Sequence, residues 1–331
     1  MKERNKMTAQ LTVHGTGSRS HRIAAIDGPN KSNPGAHSKH IFGAMVLRAL
    51  TLPLAIAAVA TPAWAQRVQI EAVTFPSSDG KTELKGYIFK ANNAPANAPA
   101  VVMMHGGAGA YSSRAAGEYS AATLTARHRA WGRLLARSGY VALMVDDFGP
   151  AGYPEGFKGA AYKSRPAVVD EVAYRPLHAY GALGFLQQRP DVDGRRVALL
   201  GWSNGGSATL AAMADDKPGD MPNTGFRIGV ALYPDCDLKK RFAKDGYRPY
   251  SPVRVFVGTA DKYVSAKLCE KLVADARKKG GDISLTTFKG ATHSYDTPGK
   301  KRQSIKANAD AKAATEADIV AFLAATLRPA Q

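Results

Sequence analysis

The chain has 331 residues, 45% of them hydrophobic and 22% charged, a composition that folds rather than staying disordered. Two cysteines exclude a disulfide-dense scaffold and any zinc cluster built from cysteine alone. Lys and Arg outnumber Asp and Glu by 45 to 27, a net +18. The excess is spread along the chain, in short clusters (Lys239-Lys240-Arg241, Arg277-Lys278-Lys279, Lys300-Lys301-Arg302) with no interleaved aromatics, so a nucleic-acid groove is not expected.

Residues 1–44 are polar, rich in Gly, Ser, Asn and Lys, and follow neither hydrophobic period. They read as a disordered leader, or as a start assigned too early, with Met45 as the initiator. From Met45 a short basic opening ending at Arg48 leads into an apolar run, then Ala63-Trp64-Ala65. Small-x-small at that position is a secretory signal with cleavage before Gln66, so a periplasmic or secreted product is expected. The uncharged run from 49 to 66 is 18 residues and is broken by Pro53 and Pro62. That falls short of a membrane span of ~20 apolar residues, and no stable anchor is expected.

From residue 66 onward, apolar runs alternate with helical patterns. Arg67–Phe75 and Leu84–Phe89 alternate as an antiparallel hairpin, and Ala100–His105 is a short, continuously apolar strand. His128–Arg137 is helical, Val141–Val145 a buried strand, and Val168–Gln188 a long helix kinked at Pro176. Strand Arg196–Leu200, helix Ser207–Ala214, and strands Ile228–Leu232, Val253–Val257 and Ile283–Phe288 follow. Helix Ala266–Lys279 lies between the last two, and helix Ala309–Leu327 closes the chain. Such alternation predicts one α/β domain over 66–331, a mostly parallel sheet with helices on both faces.

Directly after one strand comes Gly201-Trp202-Ser203-Asn204-Gly205, a G-x-S-x-G with a helix behind it. That turn presents Ser203 above the sheet, beside a helix N-terminus that favours developing negative charge. A serine needs a base. Of eight histidines, four lie in the leader and His128 and His178 fall within helices. His105 opens a glycine loop, while His293 follows the last strand, where open α/β sheets place their chemistry. Asp261, after the preceding strand, is the favoured carboxylate partner, with Asp235 and Asp237 as rivals. The oxyanion is expected to be held by the backbone N–H of Asn204 and by one from Gly107 or Ala108 in His105-Gly106-Gly107-Ala108-Gly109. No metal or organic cofactor is called for.

HGGAGA, VDDFGP, GWSNGGS, GTADKYVS and GATHSYD together resemble the dienelactone hydrolase family of α/β-hydrolases, from about Lys81 to Leu327. The resemblance implies the α/β-hydrolase fold and a triad on Ser203, Asp261 and His293. The family's own nucleophile is a cysteine; Ser203 stands in its place, which implies a serine esterase-like hydrolase acting on a small-molecule ester or lactone. The rival readings are a serine peptidase of the prolyl oligopeptidase type, which shares fold and triad, and a non-catalytic binding protein on the same scaffold.

Tyr111, Phe148, Tyr153, Trp202 and Tyr295 fall near the expected mouth as candidate pocket walls. Cys236 and Cys269 follow neighbouring strands, and in an exported chain they are expected to form a disulfide. The sequence leaves the oligomeric state open.

Overall fold

The computed structural model describes residues 67–327. The leader and signal segment expected at 1–44 and 45–65 lie outside them. Eight strands form one sheet: β1 Val68–Pro76, β2 Glu83–Ala91, β3 Ala98–Met104, β4 Val141–Asp146, β5 Val192–Trp202, β6 Ile228–Leu232, β7 Val253–Gly258 and β8 Ile283–Phe288. Their order is β1-β2-β4-β3-β5-β6-β7-β8. β1 and β2 pair antiparallel, as does β2 with β4, and all remaining pairs are parallel. The helices are α1 Ala126–Arg137, α2 Arg175–Gln187, α3 Asn204–Met213, α4 Met221–Thr224, α5 Ala266–Lys278, α6 Lys300–Gln303 and α7 Lys306–Leu327.

Every residue of β3, β4 and β6 is buried, because helices cover both faces of the sheet. One core packs the sheet against α2, α3 and α5 through residues such as Leu183, Leu210 and Val273. The other packs it against α1 and α7 through Trp131, Leu135, Ile319 and Leu323. Among the described residues, no helix is long and apolar enough to cross a membrane.

The long helix expected over Val168–Gln188 is shorter: α2 starts at Arg175, behind a 3₁₀ turn at Ala167–Val169. The Asp170 carboxylate accepts the N–H groups of Val172 and Ala173 at 2.8 and 2.9 Å and holds the intervening turn. Pro176 therefore lies in the first helical turn, where its missing N–H leaves nothing unpaired. α3 begins three residues earlier than expected, immediately after Ser203, and α7 begins at Lys306. Thr125 and Ser265 cap α1 and α5 by accepting the N–H groups of His128 and Leu268.

The chain leaves β3 to form β4 on one side and later returns to form β5 on the other. The connections therefore diverge at the C-terminal ends of β3 and β5, the switch point where open α/β sheets bind ligands. The HGG loop and Ser203 lie at those two ends.

Candidate active site

The tight turn at Ser203 follows from its glycines. A side chain on Gly201 would put its Cβ 2.0 Å from the carbonyl oxygen of Gly205, and one on Gly205 would sit 2.2 Å from that of Met104. Only backbone fits there, so α3 packs directly onto the end of β3. Ser203 itself takes φ 52° and ψ −117°, a conformation that costs roughly 1–3 kcal/mol for a side-chain-bearing residue. Its N–H donates to Leu232 O and its own carbonyl accepts from Ser207 N–H, both at 2.9 Å, and these bonds hold the strained residue in place.

Ser203 Oγ lies 3.0 Å from His293 Nε2, and His293 Nδ1 lies 2.6 Å from Asp261 Oδ2. A carboxylate can only accept, so the proton is on Nδ1 and Nε2 is free to accept from the serine hydroxyl. The other Asp261 oxygen accepts the N–H groups of Tyr263 and Val264 at 2.8 and 3.1 Å, which fixes the carboxylate's orientation. Asp261 stands after β7 and His293 after β8. The structure thus brings together the three residues singled out from the sequence. The rivals Asp235 and Asp237 are exposed and stand apart from the histidine.

Gly106 touches the nucleophile: a Cβ there would lie 3.4 Å from that of Ser203. The N–H groups of Gly107, Ala108 and Asn204 have no hydrogen-bond acceptor among the described residues. The Tyr162 ring covers Gly107 so closely that a Cβ on Gly107 would come within 2.3 Å of it. Phe157 N–H donates to Gly107 O at 2.7 Å, tying the 150–170 segment to this loop.

Beneath the elbow lies a charged cluster that the sequence did not disclose. Asp147, wholly buried, accepts from Arg175 Nε at 2.7 Å and from His178 Nδ1 at 3.1 Å, and His105 Nε2 lies 2.8 Å from its other oxygen. Burial pushes the Asp147 carboxyl up. The Arg175 guanidinium, with His105 and the hydrogen bonds of both histidines, overcomes it and holds the group well below the usual carboxylate range. Arg175 also donates to His105 O at 2.9 Å and Asn204 Oδ1 at 2.5 Å, and Asn204 Nδ2 donates to Tyr162 OH at 3.1 Å. The paired aspartates of Val145-Asp146-Asp147 at the end of a buried strand were the available signal. Tyr162 had none.

A second buried carboxylate, Asp296, accepts from Trp131 Nε1 (2.8 Å), Trp202 Nε1 (3.0 Å) and Tyr233 OH (2.6 Å). It binds the histidine's loop to α1 and to the ends of β5 and β6. Cys236 and Cys269 form a disulfide, Cα atoms 5.0 Å apart, that joins the segment after β6 to α5.

Most of the expected aromatic pocket is corrected. Trp202, Tyr295 and Phe148 are wholly buried and Tyr111 nearly so. Their polar atoms look inward: Trp202 to Asp296, Tyr295 OH to Thr315 at 2.8 Å, and Tyr111 OH to Asp146 at 2.7 Å. Phe148 packs edge-on against the His105 ring. They support the site from behind; a buried hydroxyl or indole N–H must find a partner, and the core supplied one. Only Tyr153, its ring tilted against that of Phe157, reaches solvent. The aromatics flanking His293 are Tyr233, ring centroids 4.8 Å apart, and the exposed Tyr263, at 5.1 Å. Among the described residues, no group of three or more His, Cys, Asp or Glu side chains is placed to hold a metal ion.

Sheet order and elbow define an α/β-hydrolase fold. The chain belongs to the dienelactone hydrolase family, whose sequence profile matches residues 84–327. A Bradyrhizobium protein described as a probable 2-oxo-3-(5-oxofuran-2-ylidene)propanoate lactonase is 26% identical over 165 residues, covering 49% of this chain and 64% of that protein. Among solved structures, a dienelactone hydrolase-like promiscuous phosphotriesterase from metagenomic libraries superposes with a TM-score of 0.60 at 18% identity, over 78% of this chain and 99% of the other. Thermogutta terrifontis esterase 2, phosphorylated by paraoxon, gives 0.53 at 19% identity, over 79% and 96%. At these identities the structural likeness speaks for the fold.

Proposed function

We propose that the chain is an exported serine hydrolase that cleaves a small-molecule ester or lactone through an acyl-enzyme. One observation carries this reading: the unbroken hydrogen-bonded line from Asp261 through His293 to Ser203, on an elbow beside free backbone amides. Ser203 Oγ attacks the acyl carbonyl while His293 Nε2 takes its proton, and Asp261 stabilises the imidazolium that forms. The carbonyl oxygen becomes an oxyanion held by the N–H of Asn204 and that of Gly107 or Ala108. Its collapse breaks the bond to the leaving oxygen, which receives the proton from His293. A water then repeats the cycle on the acyl-enzyme, giving up its proton to His293 and releasing the acid.

Ester or lactone as substrate agrees with the family and with the description of the Bradyrhizobium relative. Export is supported by the signal pattern at 45–65 and by a disulfide of a kind that persists in oxidising compartments. A fluorophosphonate probe tests the mechanism: it labels Ser203 in folded protein and is blocked by Ser203→Ala. Failure to label would favour a binding protein on a hydrolase scaffold. Rates across nitrophenyl esters of increasing acyl length, beside a lactone panel, define the substrate. N-terminal sequencing of protein recovered from the periplasm or medium is expected to begin at Gln66, and recovery of residues 1–44 would refute the signal reading.

A further inference from the structure

Three polar side chains, the ion pair Arg175–Asp147 and the His105 ring beside it, are wholly buried behind the nucleophile, and the proposed reaction uses none of them directly. Taking two ions out of water is costly until they pair, and well-packed apolar groups often serve stability as well or better. Stability therefore gives little reason to keep them. Their connections give a different one. The two amide sources of the proposed oxyanion hole lie on separate pieces of chain, the loop after β3 and the first residue of α3. Arg175 Nη1 bridges the two, donating to His105 O in the first and to Asn204 Oδ1 in the second. Asp147 holds the other edge of the same guanidinium at 2.7 and 3.1 Å, so the bridge is fixed in plane. The Asn204 amide is pinned from its other end by Tyr162 OH, which leaves it one orientation.

We propose that Arg175 is a positioning residue for the oxyanion hole, setting the separation and aim of the Asn204 and Gly107–Ala108 amides through its hold on Asn204 and His105. The proposal rests on Ser203 as nucleophile.

The test compares Arg175→Met, Arg175→Lys, Asn204→Ala and the Arg175→Met/Asn204→Ala double variant on one nitrophenyl ester. Rates are expressed per fluorophosphonate-labelled site, so that misfolded protein does not count. Asn204→Ala keeps the backbone N–H. Arg175→Met is expected to lower kcat about 30-fold with KM within about 2-fold, less than the ~10²–10³ of deleting a donor outright. Affinity for a trifluoromethyl ketone, which forms an oxyanion on the serine, should fall in parallel. Arg175→Lys should recover part of the loss, and Asn204→Ala alone should cost about 10-fold. The double variant should be no slower than Arg175→Met, because one path is broken twice.

Per-site kcat within about 3-fold of wild type in Arg175→Met, fully additive losses, or a KM effect with kcat intact would overturn the proposal. If Arg175→Met yields no labelled protein, Asn204→Ala decides alone, and an unchanged per-site kcat there rejects the bridge. A wild-type protein that neither labels nor hydrolyses esters removes the serine-hydrolase reading itself, and this proposal with it, before any variant is made.

Discussion

The two flanks of Ser203 are built from different materials. On the elbow flank, a buried ion pair (Arg175 and Asp147), the His105 ring beside it and direct backbone contact hold the nucleophile and the glycine loop. On the histidine flank, the N–H groups of two tryptophans and the Tyr233 hydroxyl converge on Asp296, with Arg127 3.7 Å from the same carboxylate, and a disulfide ties down the neighbouring segment. The proposed chemistry makes sense of the division. Negative charge develops over the first flank, beside the N–H groups of the elbow and the glycine loop; positive charge develops on His293 and meets Asp261. A preorganised site aims fixed dipoles and charge at the charge that develops: backbone N–H groups on the first flank, the Asp261 carboxylate on the second.

The largest effect tests whether both flanks serve one reaction. Ser203→Ala is expected to lower kcat/KM by about 10⁵-fold or more, roughly 7 kcal/mol, in ester-hydrolysis assays. A loss under 100-fold would mean that another group does the work. Next comes the covalent tie on the histidine flank. Replacing both Cys236 and Cys269 by Ser opens a loop with a sequence separation of 33. In the chain-entropy model that costs about 3–4 kcal/mol, read as a lower urea midpoint. Asp261 is held by the Tyr263 and Val264 amides rather than by the bridge, so per-site kcat at 25 °C should stay within about 2-fold. A large kcat loss would show that the disulfide shapes the acid's loop directly.

The sequence made the histidine flank easier to read than the elbow's supports. Ser203, Asp261 and His293 each follow a strand of a parallel sheet, and that rule, with the order of the three, was enough to choose them. The disulfide followed from strands β6 and β7 being neighbours. Arg175 and Asp147 were hidden because they belong to a helix and a strand end whose meeting depends on tertiary packing; α2 itself was misjudged at its start, where Asp170 turns the chain. The aromatics near the elbow were misassigned for a related reason. Trp202 and Tyr295 adjoin site residues in sequence, but side chains on a strand or turn alternate sides, and theirs go to the core. Adjacency in the chain located the rim without telling which side chains face it.

Asp296 measures how much the neutral donors contribute. Asp296→Asn leaves one carbonyl oxygen for three donors and points an amide NH₂ at others, so at least one buried donor goes unpaired. The expected cost is about 2–3 kcal/mol in denaturant unfolding, with a smaller labelled fraction at Ser203. A change below about 0.5 kcal/mol would show that the loop's other ties, such as Thr292 to Asn308 and Gln303 to Tyr295 O, secure it without the Asp296 charge.

The smallest effect concerns His128, on α1 between the flanks. Its Nδ1–H donates to Ala110 O at 2.8 Å, and burial, reinforced by Arg127, holds its pKa well below 6.5. The unfolded chain therefore takes up a proton near pH 6.5 that the folded protein refuses. The contribution is fully present above pH 6.5 and is lost as pH falls through and below that value. For a single such group the loss between pH 6.5 and 5.5 is about 1 kcal/mol. His128→Gln, which can still donate to Ala110 O, should be less sensitive to acid over that interval by about this amount, whatever it does to stability at pH 8. An equal slope in the two proteins would mean that the imidazole protonates in place, and that the positive field of Arg127, His105 and Arg175 is weaker at α1 than their positions imply.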